Sequence, residues 1–118
     1  MKNYKLGVVE SKFADIIWSN EPLTTAELVA LCERELQWKR TTTYTVLKKL
    51  GEHGIFKLHD KIVTSLISRE EYYAAQSEQF VEETFEGSLP AFIAAFTKRK
   101  TLTAEEISEI RRMIDTAE

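Results

Sequence analysis

Residues 55–67 are where the chain changes period. Ile55-Phe56-Lys57-Leu58 and Ile62-Val63-Thr64-Ser65-Leu66-Ile67 read as two short strands joined by His59-Asp60-Lys61. Segments on both sides follow the helical period instead, and the fifty residues after the hairpin carry no strand signal. A lone two-stranded ribbon is marginal in water, so this one has to lean on helices. The chain is therefore restricted to a mainly α fold with a small β element.

Three helices are predicted ahead of the hairpin. Val9, Phe13, Ile16 and Ile17 recur at helical spacing over about 8–19, ending near Trp18, and Asn20-Glu21-Pro22 stops the run. Thr24-Thr25-Ala26-Glu27 is a capping-box pattern that opens a second helix over about 25–36, with Leu28, Leu31, Cys32 and Leu36 on its inner face. A third covers about 40–53, with Thr43, Leu47 and Leu50 inward and Gly54 placed to end it. Three helices followed by a short hairpin is the order of a winged helix-turn-helix, here over residues 1–68.

Residues 69–118 show helical patterns at about 69–86, 89–99 and 103–117. Ser88 before Leu89-Pro90 is a good helix start, and Thr103-Ala104-Glu105-Glu106 is a second capping box. Fifty residues in three helices are too few to enclose a core of their own, yet they hold six of the twelve aromatics. A second copy of the same segment is the simplest cover for those rings. Residues 69–118 are thus expected to form a three-helix homodimerisation region, with Tyr73, Phe80, Phe85, Phe92, Ile93, Phe96, Ile107, Ile110 and Ile114 at the interface. The competing arrangement folds these helices back onto residues 1–68 of the same chain.

Composition excludes several classes of protein. Of 118 residues, 43% are hydrophobic and 30% charged, as in ordinary globular chains. No apolar run approaches the ~18–20 residues of a membrane span, and Met1 to Gly7 lacks a signal-peptide core. The single cysteine, Cys32, rules out an internal disulfide and reads as a small buried hydrophobe. A cytoplasmic protein without membrane insertion is expected. His53, His59 and Cys32 lack a ligand spacing, and the adjacent acids Glu82-Glu83 and Glu105-Glu106 do not share a helix face. With no nucleophile–base pair and no glycine-rich phosphate loop, no catalytic residue, metal or cofactor is assigned.

The net charge of −3 hides an asymmetry. Residues 1–68 carry ten Lys/Arg against eight Asp/Glu, whereas 69–118 carry six against eleven. Within 39–61 the balance is six basic to two acidic, a basic face on an acidic protein. The third helix begins there with Lys39-Arg40-Thr41-Thr42-Thr43-Tyr44-Thr45. Threonine is a mediocre helix former, so four within five positions need another reason. Turned away from Thr43, Leu47 and Leu50, the arc Thr41, Thr42, Tyr44, Thr45, Lys48 and Lys49 offers hydroxyls, methyls and cations to base edges and phosphates. Lys39 and Arg40 sit at the positive end of the helix dipole. That combination fits a recognition helix in a major groove, with Lys57 and Lys61 (and His59 between them) as contacts from the wing. The plainer reading is a solvated helix face.

Thr42-Thr43-Tyr44-Thr45-Val46-Leu47-Lys48-Lys49-Leu50, followed by Gly54-Ile55, resembles the recognition-helix signature of the BlaI/MecI/CopY penicillinase-repressor family. Glu10 with Trp18 eight residues later is similar to the family's first helix, and Thr25-Ala26-Glu27-Leu28 to its second. Tyr72 to Glu118 resembles its dimerisation region in length and pattern, including Leu102-Thr103-Ala104-Glu105-Glu106-Ile107. The resemblance implies a homodimeric repressor on palindromic double-stranded operators of β-lactamase, methicillin-resistance or copper-homeostasis genes. For the antibiotic branch it implies a membrane sensor protease as partner, whose signal cuts the dimerisation region and frees the operator. The sequence departs from the pattern where Ala95-Phe96 replaces Asn-Phe, and where the cysteine-rich tail of the copper branch has no counterpart. Lys39-Arg40 also stands in place of a frequent Ser-Pro, a phosphate anchor instead of a cap, and the wing is shorter by about two residues.

Two other functions compete. One is a winged-helix adaptor that binds protein and no specific DNA. The other is a winged-helix repressor that answers to a small effector held between its halves.

Overall fold

The computed structural model describes residues 4–117. Six helices and a three-stranded antiparallel sheet follow in the order α1 (Val8–Asn20), β1 (Leu23–Thr24), α2 (Thr25–Leu36), α3 (Arg40–Glu52), β2 (Phe56–His59), β3 (Ile62–Ser65), α4 (Arg69–Phe85), α5 (Leu89–Arg99) and α6 (Ala104–Thr116). This is a winged helix-turn-helix followed by helices, the architecture expected from the sequence.

The helix starts are set by side chains. Thr24 Oγ1 accepts the Glu27 amide at 3.1 Å while the Glu27 carboxylate accepts the Thr24 amide at 2.8 Å. Thr103 and Glu106 repeat the arrangement at α6, and Ser88 caps α5 through the Ala91 amide. A further reciprocal pair, Ser68 with Glu71, opens α4. Gln37, in the left-handed region at φ 56°, ends α2 and turns the chain into α3.

The sheet order is β1-β3-β2. β1 was not foreseen: two residues cannot show a period, and Leu23–Thr24 is a strand only because it pairs with Val63 and Ile62. The hairpin is also tighter than the sequence implied. His59 pairs with Ile62, leaving Asp60-Lys61 as a two-residue loop with φ values of 52° and 64°. Both strands are shorter or shifted: Ile55 precedes β2, and Leu66 and Ile67 follow β3.

Two compact units divide between Ser77 and Glu78, within α4. In the first, Phe13, Ala14, Ile16, Ile17, Leu23, Leu28, Cys32, Leu47, Leu50, Ile55, Phe56 and Val63 form the core. Trp38 stacks on Phe13 with ring centres 5.4 Å apart, and Trp18 donates its indole N–H to the Ile67 carbonyl at 3.0 Å. Val9, read from its spacing as part of the inner face of α1, is instead 50% exposed; Ala14 takes the buried position. Tyr72 is buried here as well, its ring 5.8 Å from Trp18, and Tyr73 lies 6.0 Å from the same indole. The beginning of α4 therefore packs against α1.

The second unit has no buried residue among those described. Phe80, Phe85, Phe92 and Phe96 make a chain of tilted and edge-to-face rings, with centres 5.7 to 6.1 Å apart. Phe80, Leu89, Ile93, Phe96, Ile107, Met113 and Ile114 remain exposed.

Candidate nucleic-acid interface

α3 is fixed from within by Thr43, Leu47 and Leu50, all buried, which sets the rotation of the whole helix. The Thr43 hydroxyl donates to the Lys39 carbonyl at 3.4 Å, so this buried polar group is partnered. Beside it, burial pushes the Cys32 thiol above its ordinary range, with Thr43 partly offsetting and Glu35 adding to the rise.

The opposite arc carries Arg40, Thr41, Thr42, Thr45, Lys48 and Lys49, all exposed, with Tyr44 half-buried at its edge. The N-cap residue is Lys39, and no side chain caps this end. The first amides of α3 and the positive end of its dipole are thus left to an outside acceptor, the opposite of the capped starts of α2, α5 and α6. The Arg40 guanidinium lies 5.4 Å from the Tyr44 ring centre, stacked along the helix edge. Thr45 Oγ1 donates to the Thr41 carbonyl at 2.8 Å. Its proton is therefore used, and the Thr45 hydroxyl faces outward as an acceptor, suited to an amino group on a base edge.

The wing supplies the remaining sequence-expected residues. Phe56 points into the core, so the alternation of β2 turns Lys57 and His59 outward. Lys61 is exposed in the hairpin turn, whose position is held by the Thr25 amide donating to the Lys61 carbonyl at 3.1 Å. Between α3 and β2 runs an open, mainly apolar groove of about 400 Å³, lined by Tyr44, Leu47, Lys48, Gly51, Phe56 and Leu58.

Sequence reasoning missed what surrounds Lys49. Its ammonium lies 2.9 Å from Glu10 Oε2, on the first turn of α1. Burial opposes the charge on Glu10, but the Gly7 amide, the Lys49 ammonium and the Tyr4 hydroxyl outweigh it and hold the carboxyl below its ordinary range. The same pair raises Lys49, chiefly through its hydrogen bond to Glu10 and then through Tyr4. A lysine in the pair Lys48-Lys49 gives no hint of a carboxylate 39 residues earlier in the chain. Elsewhere, among the described residues, no three His, Cys, Asp or Glu side chains gather as metal ligands, and no helix is long and apolar enough to cross a membrane.

A family model described as penicillinase repressor matches residues 6–116. The methicillin resistance regulatory protein MecI of Staphylococcus aureus (strain Mu50 / ATCC 700699) is 22% identical over 97% of this chain and 96% of its own length. The penicillinase repressor of Bacillus licheniformis is 23% identical over 90% of this chain and 86% of its own, and MecI of Mammaliicoccus sciuri 21% over 97% and 96%. The match runs through the winged helix-turn-helix and the three helices after it, and the chain belongs to the penicillinase repressor family, the BlaI/MecI group of transcriptional repressors.

Proposed function

We propose that this chain represses transcription as a cytoplasmic homodimer that grips a palindromic double-stranded operator through α3. The observation that carries the reading is the outward arc of that helix: threonine hydroxyls and cations along one face, with an uncapped N-terminus. Lys39, Arg40 and Lys48 are placed for phosphates, with Lys49 at the flank of the same arc. Thr41, Thr42, Tyr44 and Thr45 form the reading edge. Lys57 and Lys61 extend the contact from the wing.

Dimerisation is assigned to the later helices because Phe80, Ile93, Phe96, Ile107 and Ile114 are exposed, with Phe92 half-buried, on a unit without a buried residue among those described. Phe85, Ile110 and, beside Trp18, Tyr73 complete the proposed interface. Two subunits present two recognition helices, so a two-fold operator follows from a two-fold protein. A signal that cuts or loosens 86–103 separates the half-sites and frees the DNA, and a sensor protease is the partner the reading implies. The family consists of repressors rather than enzymes, and no catalytic role is assigned.

The test is selection of the preferred duplex from a random pool with the purified chain, then affinity measurements on wild type, T42A and K48A. Specific binding tighter than the ~10⁻⁴–10⁻⁶ M non-specific range is expected. T42A should relax sequence preference, and K48A should weaken all duplexes alike and flatten the salt dependence. A pool that yields no preferred sequence would favour the protein-binding adaptor.

A further inference from the structure

The lysine on the flank of α3 is matched by a carboxylate that other groups hold in place. Gly7 N–H donates to Glu10 Oε1 at 3.1 Å, and the Tyr4 hydroxyl reaches Oε1 and Oε2 at 3.2 and 3.3 Å. Tyr4 is itself anchored. Its carbonyl accepts from the Tyr72 hydroxyl at 2.6 Å and from Gln76 Nε2 at 3.3 Å, and its ring stacks on His53 with centres 3.8 Å apart. The Glu10 side chain is 19% exposed and that of Lys49 is 52% exposed. The carboxylate is a preset acceptor at the edge of the DNA-facing helix, and the lysine is the movable member of the pair.

We propose that Glu10 restrains DNA affinity by acting through Lys49: by holding the ammonium it withholds one cation from the DNA backbone and so limits sequence-independent affinity and its salt dependence. The inference rests on the DNA reading of α3. Phosphate contacts supply essentially all non-specific binding, and each neutralised phosphate adds the same counterion-release increment whatever the sequence. A lysine already matched with a carboxylate has little of that increment to give, and a phosphate approaching it also meets the charge of Glu10. The base-edge groups Thr41, Thr42 and Thr45 are untouched by the pair, so operator and random DNA are weakened alike and the preference between them is unchanged.

Salt titrations of the full chain on a random-sequence duplex, read by fluorescence anisotropy, test this for wild type, E10Q, K49Q and E10Q/K49Q. The E10Q substitution keeps an acceptor for the Gly7 amide while removing the charge. Its log–log salt slope should steepen by about 0.9, K49Q should keep the wild-type slope, and the double variant should return to it. K49Q changes an exposed position and carries the test alone if E10Q does not fold. A K49Q slope shallower than wild type by about 0.9, or an E10Q slope equal to wild type, overturns the inference while DNA binding stands. A wild-type chain with no salt-dependent binding to any duplex overturns the DNA reading, and the inference with it.

Discussion

The Tyr72 hydroxyl donates to the Tyr4 carbonyl at 2.6 Å while accepting the Leu6 amide at 2.8 Å, so one phenol from α4 pins the segment ahead of α1. Tyr72 is 4% exposed, and burial pushes its phenol above the ordinary range. Removing the oxygen leaves the buried Leu6 amide without its partner and the Tyr4 carbonyl with Gln76 alone, while the ring still packs. Y72F should therefore cost about 1–3 kcal/mol, measured by urea unfolding. A loss below about 0.5 kcal/mol would mean that water replaces the phenol.

Acid should unfold the chain through a small set of carboxylates. Glu10 sits below its ordinary range for the reasons given above, and Glu27, Glu71 and Glu106 do so because each accepts the backbone amide of its N-cap residue. For a depressed carboxyl, the stabilisation is present above the unfolded value of about 4.3 and is lost as pH falls through the folded value. Lys49 runs the other way: raised by Glu10, its contribution is full below about 10.4 and is lost as pH rises through its folded value. Between those limits these groups leave stability flat. Thermal midpoints measured against pH should show an acid limb that shortens in E27Q and E106Q. An unchanged limb in both would place the acid sensitivity elsewhere.

Much of this was legible because the sequence punctuates itself. Thr24-x-x-Glu27 and Thr103-x-x-Glu106 announce helix starts, and the inward triplet Thr43, Leu47 and Leu50 fixes the face of α3 from spacing alone. The contacts that cross the chain left no such trace. Tyr72 and Tyr73 belong by sequence to a run of aromatics, and no periodicity says that Trp18 is what they meet. Tyr4 lies before the first recognisable helix, so its stacking on His53 and its grip on Glu10 had no signal. Ser68-x-x-Glu71 has the same spacing, but the neighbouring acid Glu70 makes it resemble a solvated charged face.

The wing turn offers a separation of stability from DNA contact. Lys61 holds φ at 64°, a region where a side chain costs roughly 1 kcal/mol or more relative to glycine. K61G should raise stability by several tenths to about 1 kcal/mol while lowering the salt slope by up to about 0.9 if the wing reaches a phosphate. Chemical unfolding and salt titration read the two effects independently. A stabilised variant with the wild-type slope would leave the wing off the DNA.

Cutting between Ala95 and Phe96 requires α5 to open, because that bond lies inside the helix Leu89–Arg99 and a protease binds its substrate extended. Ser88 holds the start of this helix, its hydroxyl accepting the Ala91 amide at 3.1 Å. S88A should weaken the cap by about 1 kcal/mol and so raise the open population about fivefold. Phe96 is 45% exposed in the single chain, and the proposed dimer would cover it. Limited digestion with thermolysin, which cuts ahead of large apolar residues, reads both effects at the same bond. The rate at Ala95-Phe96 should rise in S88A and fall as protein concentration climbs through the dimer equilibrium. A rate that follows S88A but ignores concentration would remove Phe96 from the interface. A rate indifferent to S88A would mean that the bond is reached without opening the helix from its N-terminal end.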